Sequence, residues 1–269
     1  MNYLQTDITY IIQNHLYKFY YNKKSSTEIS KIYRINNMFK NSIDENRKYL
    51  KSLYFIPNTK QELQTAVNQW CDDRAVALLK YGNISLWLTW NITDMSKLFD
   101  NKIHFNDCIK DWDTSAVVYM NDMFYRAESF NQPLNNWDTS SVIDMVRMFC
   151  FATSFNQCLN NWDTSSVTNM ELMFNTATSF NQCLNNWDTS SVTNMGGMFS
   201  DAKSFNQCLN NWDTSSVTNM LCMFNGAEAF NQPLNNWDTS SVTNMRLMFS
   251  DSNMILLPNW YNNEMGQMC

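Results

Sequence analysis

A chain of 269 residues with 44% hydrophobic and 14% aromatic content can bury a substantial core, which excludes global disorder. Its 5 Gly and 4 Pro exclude a collagen-like or Gly-rich calcium-binding roll, since both need glycine at regular spacing. The net charge of −6 is unevenly placed: residues 1–83 hold 12 Lys/Arg against 7 Asp/Glu, a balance of +5, while residues 84–253 hold 7 against 17, a balance of −10. An acidic stretch of that size does not bind nucleic acid by neutralising phosphates. No run of 18 apolar residues occurs, so no membrane-spanning helix is expected either.

Residues 1–55 read as a small helical head. Leu4, Ile8, Ile11, Ile12 and Leu16 fall at helical spacing, and Ile32, Ile35 and Phe39, then Leu50 and Leu53, suggest two more helices. The opening MNYLQTDITYIIQNHLYKFYYNKK carries its positive charge late and has no small-residue cleavage site. It does not read as a secretory signal, and an intracellular location is expected. The run LQTDITYIIQNHL, followed by INNMFK and RKYL, resembles a degenerate F-box, the short helical domain that docks substrate receptors onto a ubiquitin ligase. The resemblance implies a ligase adaptor as partner, docked through Leu4, Ile8, Ile11, Ile12 and Leu16. Gln5 stands where that family usually has proline, and a Lys/Ser-rich loop from Lys23 to Thr27 replaces an apolar stretch.

Residues 56–83 read as two helices that cover the open end of the repetitive stretch beginning at residue 84. Thr59 and Glu62 form a capping-box signature just after Pro57; Leu63, Val67 and Trp70 make an apolar stripe; and Gly82 stops the second helix.

From 84 to 255 the chain repeats itself about seven times with a period of 25 residues, in its fullest form FNQ[PC]LNNWDTSSVTNMxxMFxxAxS. Trp112, Trp137, Trp162, Trp187, Trp212 and Trp237 mark the register, as do Phe130, Phe155, Phe180, Phe205 and Phe230. Such a period defines a solenoid, in which each unit needs its neighbour to bury its apolar side chains. In each copy VTNMxxMFxxA places Val142, Met145, Met148, Phe149 and Ala152 on one face of a short helix, with Asp138, Thr139, Ser140 and Ser141 as its start signal. FNQPLNNW reads as a short extended strand stacking in a parallel ladder, with Asn131, Asn156 and Asn181 bonding from one copy to the next. The expected fold is an α/β solenoid of short parallel strands and short helices behind an all-helical N-terminal module. Residues 256–269 are a tail or terminal cap.

This pattern closely resembles the BspA-like leucine-rich repeat surface-protein family over about 170 residues, and PNTKQELQTAVNQWCDDRAVALLKYGNISLW resembles the segment that precedes such arrays. The resemblance implies a leucine-rich-repeat-like array. Bacterial members carry an export signal and a lipid-attachment cysteine that this chain lacks, so it is more similar to intracellular members from large DNA viruses.

No catalytic chemistry is expected. His15 and His104 lie near no nucleophile or metal-ligand spacing, and the carboxylate column Asp113, Asp138, Asp163, Asp188, Asp213, Asp238 sits in turns, where capping explains it. Cys108, Cys158, Cys183 and Cys208 share a column with proline, which argues against an obligatory bridge, and reduced thiols are expected. No cofactor or metal is implied. Recognition needs side chains that differ between copies, and the differences fall at Val146, Arg147, Glu171, Leu172, Leu221, Arg246 and Leu247, and again at Cys150 and Phe151. These are the candidate contacts for a protein partner whose identity the sequence does not give. Two alternatives stand beside this reading: a surface adhesion or glycan-binding protein that uses the Asn/Gln rows, and a purely structural array.

Overall fold

The computed structural model describes residues 54–261, which lie within one compact unit. The helical head, with Leu4, Ile8, Ile11, Ile12 and Leu16, lies outside the described residues.

Helix α1 (Lys60–Asp72) starts where expected: Thr59 is extended and its Oγ1 accepts from the Glu62 N–H at 3.2 Å. The return bond of the capping box is shifted by one residue, since Glu62 Oε2 accepts from the Asn58 N–H at 2.7 Å. Leu63, Ala66, Val67 and Trp70 form its buried stripe. Asp73 ends α1 and caps α2 (Arg74–Tyr81), its carboxylate accepting from the Val76 N–H. Gly82, at φ +70°, ends α2 in the left-handed region. The two helices cover the first coil of the array. Gln64 Nε2 donates to the Leu98 carbonyl at 3.0 Å, and Lys60 Nζ reaches the Asp94 carboxylate and the Ser96 hydroxyl. Burial pushes the Asp94 carboxyl up, but the Ser96 hydroxyl and Lys60 together outweigh it and hold it below the usual carboxylate range.

Seven coils stack in register, linked by parallel bridges through Asp94, Tyr119, Asp144, Asn169, Asn194, Asn219 and Asn244. The two expected halves of the repeat are corrected. VTNMxxMFxxA is not a helix but a run of tight turns; FNQPLNNW is not a strand, because no backbone ladder passes through it. In the turn run, alternate N–H groups reach back three residues within the coil, as Met148 to Met145 and Cys150 to Arg147, both at 3.2 Å. The others cross to the next coil: Met145 to Asn169 O at 3.1 Å, Arg147 to Glu171 O at 2.9 Å, Phe149 to Met173 O at 2.9 Å and Phe151 to Asn175 O at 2.8 Å. A helix would need those donors for its own fourth-preceding carbonyls. The run also enters the left-handed region every fourth residue, at Arg147 (φ 52°) and Phe151 (φ 60°), and so in every coil.

In the other half, side chains replace the backbone ladder. Asn131 Oδ1 accepts from the Asn156 N–H and from Gln157 Nε2, both at 2.9 Å, and Asn156, Asn181 and Asn206 repeat the pair. Proline at 133 fits here because this half asks no ladder donor of it. The Asp-Thr-Ser segment is an Asx turn and not a helix cap: Asp138 Oδ1 takes the Ser140 N–H at 3.0 Å and the Ser140 hydroxyl at 2.6 Å. Buried Thr139 donates to the Asp163 carbonyl of the next coil at 2.9 Å.

Between the two halves runs the core. One Phe column (Phe99 to Phe249) stacks at 5.3–5.8 Å between centroids, and each ring from Phe99 to Phe224 also meets its partner in the second Phe column, as Phe149 meets Phe155 at 4.1 Å. The Trp column stacks nearly parallel at about 6.3 Å, as between Trp162 and Trp187, and each indole N–H is satisfied across coils: Trp162 Nε1 donates to the Leu134 carbonyl at 3.0 Å. Trp260 continues that column on Trp237, although it stands 23 residues on and not 25.

Candidate functional site

The side chains that differ between coils belong to the turn run. The pair before the core Met-Phe and the pair after it meet between coils, since the Arg147 guanidinium of one coil lies 5.8 Å from the Tyr125 ring of the coil before. Val146, Glu171, Leu172 and Leu221 are half-buried there, and Arg147, Arg246 and Leu247 are exposed. The structure thus places all seven sequence candidates in two adjacent columns of one face. Gly196 and Gly197 occupy these columns in the fifth coil. A Cβ on Gly197 would stand 2.5 Å from Leu172 Cδ2, so the glycines receive their neighbours and leave no open pocket.

Two candidates are already engaged. Arg147 makes a bidentate pair with buried Asp122, Nε to Oδ1 at 2.8 Å and Nη2 to Oδ2 at 3.1 Å. That hydrogen bond raises the guanidinium further above its ordinary value. Glu171 accepts from Asn194 Nδ2 at 3.1 Å.

Around Arg147 the structure assembles residues that comparison of the full copies misses, because they sit in the degenerate second coil, VVYMNDMFYRAES. The Arg126 guanidinium lies 5.2 Å from the Phe151 ring and 5.8 Å from Tyr125, and Tyr125 meets Phe151 edge-on at 5.9 Å. Among the described residues Arg126 has no ion-pair partner, and its side chain is exposed. Tyr119 and Ile143 are also exposed, in columns where the fourth to seventh coils carry Asn and Thr. The signal was present in the sequence as departures from the Thr-Asn columns.

The remaining reactive groups do not converge on a site among the described residues. The Asp213 carboxyl is held low by the hydroxyl and amide of Ser215, as a turn acceptor should be. His104 is exposed, and among the described residues no group of His, Cys, Asp and Glu is arranged to hold a metal. The described cysteines are free. Burial pushes the Cys150 thiol up to about 12 and the Cys71 thiol up to about 11, whereas Cys158, Cys183 and Cys208 are exposed. Iodoacetamide at pH 8 is therefore expected to modify the exposed trio in the native chain and to reach Cys71 and Cys150 only after denaturation, as peptide mass spectrometry would read. No helix among the described residues is long and apolar enough to cross a membrane.

Stacked aromatic columns, Asn ladders and a variable flank define a tandem-repeat solenoid without an evident catalytic site among the described residues. Residues 65–182 and 157–260 both match the family described as "Mycoplasma protein of unknown function, DUF285"; the two stretches together span most of the chain, which belongs to that family. No curated protein and no solved structure matches it significantly.

Proposed function

We propose that this chain is a non-catalytic protein-interaction solenoid, whose contact surface is the flank centred on Tyr119, Tyr125, Arg126, Arg147 and Phe151. The carrying observation is the exposed Arg126 guanidinium lying beside two half-buried aromatic rings with no carboxylate partner among the described residues. Tyr and Arg dominate the energetics of protein interfaces, and a guanidinium already held on aromatic faces loses little freedom on binding. The resemblance to BspA-like leucine-rich repeats supports the same reading. The Asn/Gln rows that would suit a repetitive glycan have their Oδ1 atoms doubly engaged inside the array, which favours protein over carbohydrate.

The test is affinity purification of the full chain beside an Arg126→Ala, Phe151→Ser variant. Both side chains reach the surface, so a nearly unchanged melting curve is expected, with loss of a partner the parent retains. Equal recovery by both chains, or retention of the parent on a glycan array, sinks the proposal. The ligase-adaptor role of residues 1–55 is a separate arm: Ile8→Asp with Ile11→Asp should abolish co-purification of the adaptor, and intact binding would remove that role.

A further inference from the structure

The turn run gives the array a direction. In the third coil the carbonyls of Asp144, Val146, Met148 and Cys150 accept from the coil before, while the N–H groups of Met145, Arg147, Phe149 and Phe151 donate to the coil after. The four peptide groups joining these residues therefore all point the same way along the axis, and the same four bonds recur at every one of the six junctions. Aligned peptide dipoles sum, as they do in a helix, leaving partial negative charge at the carbonyl end and partial positive charge at the N–H end.

The two ends are finished differently. At the carbonyl end α1 supplies donors: Gln64 to Leu98 O, and the Lys60 ammonium beside Asp94 and Ser96. At the other end the seventh coil keeps the conformation, with Leu247 and Asp251 both at φ 55° and the within-coil bonds Met248 to Met245 and Ser250 to Leu247 in place. Yet among the described residues the N–H groups of Met245, Leu247, Phe249 and Asp251 have no acceptor. Met245 and Phe249 are each 8% exposed, whereas their column-mates in the preceding coils are 0% exposed. Leu247, Ile255 and Leu256 are exposed apolar side chains of the last coil and the segment after it, Leu256 at 82%.

We infer that this end of the array is a docking site for an extended segment of a partner protein, laid across the seventh coil as an eighth. The site stands independently of the flank proposed above. Six rows of the same kind are filled within the molecule, each by a segment that turns its alternate carbonyls to the donors and covers the Met and Phe beneath. The occupant must do the same. An ordinary β-strand is a poor fit, because its facing edge alternates N–H with C=O and would set donors against donors. A segment with a left-handed residue every fourth position, hence Gly, Asn or Asp there, and apolar residues between, presents carbonyls alone. A second copy stacked head to tail is excluded while α1 covers its first coil. Addition of backbone to an unpaired edge is a general route to recognition.

The probe is a fluorescein-labelled peptide of residues 190–204, SSVTNMGGMFSDAKS, which carries glycine and aspartate at the two left-handed positions. Titrated with the full chain, it is expected to bind saturably, and hydrogen exchange at Met245, Leu247, Phe249 and Asp251, whose N–H groups have no acceptor among the described residues, should slow by about tenfold or more. The surface variant Leu247→Lys, Leu256→Lys should weaken binding by about tenfold or more while leaving thermal unfolding intact, and Gly197→Val in the peptide should weaken it as well. No saturable binding, protection that maps elsewhere, or slow exchange of those amides before peptide is added would each overturn the inference. So would equal protection by inorganic phosphate, which would make the row an anion site.

Discussion

Phe174→Ala is expected to lower the unfolding free energy by about 3–5 kcal/mol, and the same change at Phe249 by only about 1–2 kcal/mol. Phe174 is fully buried and touches four rings: Phe149, Phe180, Phe199 and Trp187. Truncation leaves a cavity between coils whose backbones are tied by at least four hydrogen bonds on each side, so the walls cannot collapse to fill it. Phe249 has a filled coil on one side only, with Trp260 and Tyr261 partly covering the other. Its site can relax toward solvent. Urea unfolding followed by circular dichroism measures both; for an array of this size the Phe174 loss corresponds to a melting temperature lower by about 10 °C. Equal losses at the two positions would show that coils do not depend on their neighbours, against the one-dimensional character of the stack.

The register of this core was legible in the sequence, because Trp and Phe recur at an unbroken spacing and only inward positions demand such constancy. The backbone of the repeat was not. Met145, Met148, Phe149 and Ala152 lie at intervals of three, one and three residues, which an amphipathic helix would give. A run of turns closed by three-residue bonds has nearly the same inward periodicity, so hydrophobic spacing does not separate the two. What separates them is the left-handed residue at every fourth position, and there the usual marker is nearly absent: only Gly197 and Gly226 carry it, while Arg147, Leu172, Cys222 and Phe151 adopt the same φ without it. Likewise, Asn131 reads as a strand residue until its side-chain oxygen is seen in the place of a ladder carbonyl. The variable flank was legible where full copies can be compared, as at Arg147 and Glu171. Tyr119, Tyr125 and Arg126 fell outside that comparison, since a degenerate coil offers no consensus against which to read them.

The left-handed column yields the second large effect, and its sign depends on the residue already present. At Gly197 (φ +61°) a side chain brings backbone strain of roughly 1–2 kcal/mol, more if it is β-branched. The new Cβ would also stand 2.5 Å from Leu172 Cδ2, a flexible tip that can swing away only by giving up its own packing. Gly197→Val is therefore expected to destabilise the array by about 3 kcal/mol. Adding Leu172→Ala should relieve the contact but not the strain, so a double-mutant cycle should recover only part of the loss. Full recovery would mean that sterics alone set the effect, and the left-handed geometry would carry no penalty. The opposite sign is expected at a column-mate: Leu247 holds φ 55° with its side chain exposed, so Leu247→Gly removes strain at little loss of packing and should stabilise by up to about 1 kcal/mol. Equilibrium denaturation of the four variants (Gly197→Val, Leu172→Ala, their double and Leu247→Gly) and the parent tests the set. A gain at Leu247 together with a loss at Gly197 would establish that the turns, and not the side chains they display, fix the conformation of this flank.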